Sequence, residues 1–145
     1  MAKEAFTEEE KKTITNAIKA AELNTSGEIQ VHLENHCKED VLDHAAHIFK
    51  TLKMHKTKLR NGVLFYMAIK DHKFAILGDA GINSKVPENF WDDIKEHMLA
   101  HFKKDNITAG LSEGIKMAGD QLATHFPYKR DDENELPDEI SFGKN

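Results

Sequence analysis

The stretch "NGVLFYMAIKDHKFAILGDAG", residues 61–81, constrains the fold more than any other. It holds two nearly unbroken apolar runs, residues 63–69 and 74–77, separated by the polar tetrad Lys70-Asp71-His72-Lys73. Runs this short, with no polar alternation, fit strands whose two faces are both covered. A polar tetrad between them reads as a hairpin turn, so the pair is expected in the buried middle of a sheet.

The rest of the chain supplies the layers around that sheet. Residues 7–23 open with Thr7 and Glu10 at capping-box spacing, followed by Ile14, Ala17, Ile18, Ala21 and Leu23 at helical spacing. "GEIQVHLEN" alternates: Ile29, Val31 and Leu33 face one way, and Glu28, Gln30, His32 and Glu34 the other. That pattern predicts a half-buried strand at a sheet edge. Residues 39–54 form a second helix with Val41, Leu42, Ala45, Ile48, Phe49 and Leu52 inward. Pro87 fits the first turn of a third helix, with Phe90, Trp91, Ile94, Met98 and Phe102 facing the core. Residues 107–126 form a fourth on Leu111, Ile115, Ala118 and Leu122. In it, Gly110, Gly114 and Gly119 either weaken the helix or mark close packing. The order α-β-α-β-β-α-α predicts an α/β fold, a three-layer α/β/α sandwich around a small mixed sheet. Strands 1 and 2 would be parallel, and strands 2 and 3 antiparallel. Residues 1–128 make one domain, and 129–145 an acidic tail, extended or partly disordered.

Composition narrows the function classes. A net charge of −5 with no Lys/Arg block argues against a nucleic-acid surface. The single cysteine, Cys37, excludes an intramolecular disulfide and any multi-cysteine zinc site. No apolar leader and no run of about 18 apolar residues is present, so no membrane span is expected and a cytoplasmic location is the default.

The topology gathers acidic groups at one end of the sheet. Strands 1 and 2 both start there, bringing Glu28 and the Arg60-Asn61 pair. Strand 3 runs back and delivers Asp79, with Asn83 and the tail carboxylates Asp131, Asp132 and Glu135 nearby. Converging carboxylate and amide oxygens suit a hard cation, Ca²⁺ or Mg²⁺. Equally, Asp79 in "GDAG" can bond turn amides or pair with Arg60. Arg60 itself can clamp a phosphate or simply pair with Asp79 or Glu28. Asp71, in the hairpin turn, belongs at the far end. Asp93, His97 and His101 fall at i, i+4 and i+8 on one helix face, which can hold a transition metal or simply be solvated. His44 and His47 read the same way. Cys37 has no base and orienter beside it, and "GDAGINSK" lacks the spacing of a phosphate-cradling loop.

Several of these features resemble a known family. Thr25 to Ile29, the Asn61-Gly62-Val63-Leu64 lead-in to strand 2, Asp71 in the hairpin and the Gly78…Gly81-Ile82 turn are similar to the TPM domain. That family is named for a thylakoid-lumen phosphatase, a photosystem II repair protein and a modulator of acetylcholine receptors. The resemblance covers roughly residues 8–125 and is to a short, stand-alone bacterial branch. It implies an α/β/α sandwich, divalent-cation binding at an acidic cleft, calcium in particular, and acid phosphatase activity in some members. Asp79-Ala80 departs from the family pattern, since many relatives carry an uncharged aromatic between the glycines.

Three functions are consistent with this reading. The first is a cation-binding domain with Glu28 and Asp79 as ligands and Asp131 and Asp132 as further donors. Occupancy would steady a surface for a protein partner. The second is a metal-assisted phosphomonoesterase for a phosphorylated small molecule, with Arg60 steadying the transferred group. The third is a cation-independent interaction module that docks through "DDENELPDEISF".

Overall fold

The computed structural model describes residues 2–128 and 136–143. Helix α1 (Glu8–Glu22) starts at Thr7, whose hydroxyl accepts from the Glu10 amide at 3.1 Å while the Glu10 carboxylate accepts from the Thr7 amide at 2.9 Å. The expected capping box is therefore made, and it satisfies two amides that a helix start otherwise leaves open. Strand β1 (Glu28–Glu34), helix α2 (Val41–Thr51) and strands β2 (Gly62–Ala68) and β3 (Lys73–Gly78) follow. After them come the short helix α3 (Ala80–Asn83), α4 (Asp92–Phe102), α5 (Ile107–His125) and β4 (Ser141–Phe142).

The sheet order is β3-β2-β1-β4. β1 and β2 are parallel, from Glu28 opposite Gly62 to Glu34 opposite Ala68, and β2 and β3 are antiparallel. On one face Ile29, Val31, Leu33, Val63, Phe65, Met67 and Ile76 pack beneath α1, α4 and α5. On the other, Leu64, Tyr66, Ala68 and Ala75 meet Ala45, Ile48 and Phe49 of α2. This is the α/β/α sandwich that the element order predicts.

The glycines of α5 mark close packing. A Cβ on Gly114 would lie 2.5 Å from the Met98 sulfur, and one on Gly110 2.6 Å from the Phe102 ring. Each helical glycine costs about 1 kcal/mol relative to alanine. Burial of Leu111, Ile115 and Leu122 returns about 1.5–3 kcal/mol apiece, so the helix forms.

The structure differs from the sequence reading at five places. β1 is not a half-exposed edge strand, because all seven of its residues are buried. The reason lies at the far end of the chain: Ser141 and Phe142 pair in parallel with His32 and Leu33, and Leu136 joins the α2-side core. Part of the stretch read as an extended or partly disordered tail is thus the fourth strand. Within the hairpin, β2 is central, but β3 is a sheet edge rather than a buried middle strand. Helix α4 begins at Asp92 rather than Pro87, since Pro87 and Asn89 accept from Phe90 and Asp92 in successive tight turns. Leu23 and Leu42, read as inward, are exposed.

The end of β3 explains "GDAG". Asp79 caps α3, and the Gly81 amide donates to the Arg60 carbonyl at 2.9 Å. A Cβ on Gly81 would fall 2.0 Å from the Leu59 carbonyl oxygen, so only glycine fits. Gly81→Ala is expected to lower stability by about 1–3 kcal/mol, because backbone must move to admit the methyl. Urea unfolding reads this directly, and an unchanged midpoint would refute the seating of α3 on the Arg60 loop.

Candidate functional site

The strand directions bring Glu28, Asn61 and Asp79 to one end of the sheet, where Glu28 faces Gly62 and Gly78 faces Val63. Asp79 is buried and both its oxygens are engaged. Oδ2 accepts from Arg60 Nε at 2.8 Å; Oδ1 accepts from Arg60 Nη2 at 2.8 Å and from the Ala80 amide at 2.7 Å. This two-pronged fit of guanidinium to carboxylate is the strong, directional form of the pair. Asn83 Nδ2 donates to the Gly78 carbonyl at 3.0 Å, and Asn61 Nδ2 to the Ser26 carbonyl at 3.2 Å. Asn61 Oδ1 is buried and meets no donor among the described residues. Asp131, Asp132 and Glu135 lie outside the described residues. Asp71 sits at the opposite end, accepting from the Cys37 amide at 2.7 Å and lying 2.9 Å from His36 Nδ1.

The carboxyl groups that do gather with Glu28 are Glu22 and Asp138. Glu22, the last residue of α1, accepts from the Ile29 amide at 2.9 Å and is hydrogen-bonded to Asp138. Burial, the bond to Asp138 and the charges of Glu28 and Asp138 together push the Glu22 carboxyl up from its ordinary 4.5 to about 10, against the pull of the Ile29 amide. At neutral pH Glu22 keeps its proton in the folded chain and loses it in the unfolded one. Its contribution to stability is therefore full below pH 4.5 and is lost as pH rises toward about 10. In metal-free buffer, Glu22→Gln is expected to flatten the fall in melting temperature across that window. An unchanged slope would show that Glu22 titrates normally.

A second polar group lies at the other end of β1, where the sequence pattern had placed solvent. Glu34 Oε1 accepts from Tyr66 Oη at 2.7 Å and lies 2.7 Å from His44 Nε2; Oε2 lies 3.3 Å from His32 Nε2. His44 Nδ1 reaches Glu39 Oε1 at 2.5 Å, and His32 Nδ1 reaches Ser141 Oγ at 2.8 Å. Burial pushes the Glu34 carboxyl up, but the bonds from Tyr66, His44 and His32 outweigh it and hold the group below its ordinary value. Burial pulls His44 down, but its two carboxylate partners raise it. Burial, helped by the charge of His44, lowers His32 against the pull of the Glu34 carboxylate. Tyr66→Phe removes one donor from a buried carboxylate and is expected to cost about 1–3 kcal/mol near neutral pH. Because the Glu34 pKa is depressed, that cost shrinks as acid protonates Glu34. Urea midpoints at neutral and acid pH test it, and equal penalties would refute it.

A third cluster joins α4 to α5. His97 Nε2 and His101 Nε2 both reach Glu113 Oε2, at 2.5 and 2.6 Å. The three donor atoms lie within 4.8 Å of one another, so these residues could hold a metal ion. The two imidazoles keep the Glu113 carboxyl below its ordinary value. The helical spacing of the histidines marks the site in the sequence. Its acidic member is Glu113, on the neighbouring helix, where the sequence reading had put Asp93. Nothing in the sequence marks Glu22 or Asp138, and the only local signal for β4 is the alternation Ile140-Ser141-Phe142.

Fold and clusters together define an α/β/α domain whose polar groups line its central parallel strand. The chain belongs to the TPM domain family, whose model matches residues 2–121. It is similar to the BA42 protein of the psychrophilic bacterium Bizionia argentinensis, with a TM-score of 0.91 and 51% identity over 95% of each chain. Two further solution structures share the fold. One is an N-terminal domain from P. gingivalis, with a TM-score of 0.67 and 18% identity over 86% of this chain and 82% of that one. The other is the N-terminal domain of cg2496 from Corynebacterium glutamicum, with a TM-score of 0.61 and 11% identity over 97% and 81%. No curated protein matches. No helix among the described residues is long and apolar enough to cross a membrane.

Proposed function

We propose that this TPM domain binds a hard divalent cation, calcium before magnesium, through Glu28, Glu22 and Asp138. The observation that carries the reading is the gathering of Glu22, Glu28 and Asp138 at the start of β1, where burial and the neighbouring carboxyl groups push the Glu22 carboxyl up. A divalent cation displaces a proton held between these groups and reduces the net charge of the cluster, three carboxylates and one cation together carrying about −1. Carboxylates are the ligands such cations prefer, and the orphaned Asn61 Oδ1 is a further hard oxygen at the same sheet end. The three carboxyl groups have to draw together to share an ion, because among the described residues the donor atoms within 4.8 Å of one another are those of His97, His101 and Glu113. Calcium takes about six to eight oxygens, so water completes the shell.

In this reading Asp79 and Arg60 are the clamp that fixes α3 beside the site, since Asp79 could bind a cation only by giving up its guanidinium. Asp138 lies just before β4, so occupancy ties the end of the chain to β1. The result is a cation-steadied surface for a protein partner.

Thermal unfolding of the chelator-stripped protein tests the proposal. Saturating Ca²⁺ is expected to raise the melting temperature by several degrees, the size of shift that about 2–3 kcal/mol of binding linkage produces. Glu28→Gln and Asp138→Asn should shrink that increment, whereas Asp79→Asn should lower the starting temperature and leave the increment intact. No rise at millimolar Ca²⁺, or an increment indifferent to Glu28→Gln, would overturn it.

A further inference from the structure

His97 and His101 lie one helical turn apart on α4, with ring centroids 5.3 Å apart. Glu113 comes from the antiparallel helix and reaches both rings because α4 and α5 are in near contact through Gly110 and Gly114. Two imidazole nitrogens therefore converge on one carboxylate oxygen. Both rings and the carboxylate are at least a quarter exposed, at 48%, 26% and 47%, so an ion can reach them from solvent.

We infer that His97, His101 and Glu113 form a binding site for a borderline first-row divalent cation, zinc in particular, that clips α4 to α5. Imidazole nitrogen with one carboxylate is a donor set that zinc takes and that calcium and magnesium do not favour. Bonds of about 2.0–2.2 Å in a tetrahedral shell place neighbouring donors about 3.3 Å apart. The present separations of 2.5 and 2.6 Å are shorter, so Glu113 has to draw back by less than about 1 Å. A half-exposed glutamate side chain does this by rotation about its own bonds. The ion takes the Nε2 lone pair of each neutral imidazole, whose ring proton then sits on Nδ1, and three protein donors leave the fourth position to water. This site shares no residue with the carboxyl group at the start of β1, so it stands or falls independently of the proposed calcium site.

The test is calorimetric titration of the tag-free, chelator-stripped chain with Zn²⁺ in millimolar Ca²⁺, alongside His97→Gln, His101→Gln, Glu113→Gln and, as a control, His47→Gln. One zinc per chain is expected, weakened about tenfold or more by each of the first three substitutions and unchanged by the fourth. In the unsubstituted chain, the ring resonances of His97 and His101 should shift with zinc while those of His47 stay in place, a readout that needs no variant to fold. Absence of a one-to-one complex at micromolar zinc would overturn the inference. So would binding that is indifferent to Glu113→Gln, or ring shifts confined to other histidines.

Discussion

The burial of β1 on both faces is the constraint around which the rest of this structure is arranged. One face is ordinary: Ile29, Val31 and Leu33 sit at 0% exposure beneath α1, α4 and α5. The other carries Glu28, Gln30, His32 and Glu34, all under 7% exposed. Polar groups taken from water must find partners inside or lose several kcal/mol each. The chain meets this for Glu34 and His32 by sending other elements to β1: Tyr66 from the neighbouring strand, His44 from α2 and Ser141 from the far end. Glu22 lies at the start of the same strand, where burial and the neighbouring carboxyl groups push its carboxyl up.

A different logic governs the α4–α5 face. There the backbone, not a polar strand, decides the geometry. Removing side-chain bulk at Gly110 and Gly114 lets Phe102 and Met98 settle against α5. Helices packed that closely can share one carboxylate between residues that neither helix could bring together alone. The cost falls on α5, whose glycines reduce its intrinsic helicity, and the apolar stripe offsets it.

These two arrangements explain what the sequence disclosed and what it hid. The apolar runs of β2 and β3, the capping box at Thr7 and the stripes of α1 and α5 were legible because each is a local pattern. The sheet end shared by Glu28, Asn61 and Asp79 was legible one level higher, from strand order alone. The polar face of β1 was misread as solvated because its cover comes from residues such as Ser141, 109 positions from His32. The histidine pair was visible in its spacing, but Glu113, 16 positions from His97, was not. A periodicity reports on its own helix and is silent about the neighbour that packs against it.

The short reach of β4 has a bearing on association. Among the described residues the ladder beyond β1 extends to Ser141 and Phe142, and nearer the strand's start the Ile29 amide is taken by the Glu22 side chain. A sheet margin with a long row of open donors invites a strand from another molecule, and natural proteins interrupt such margins. Here the interruption comes from a two-residue strand, a side-chain cap and a carboxyl group beside it. Together they deny a foreign strand the straight, neutral run of amides on which stacking of one sheet onto the next depends.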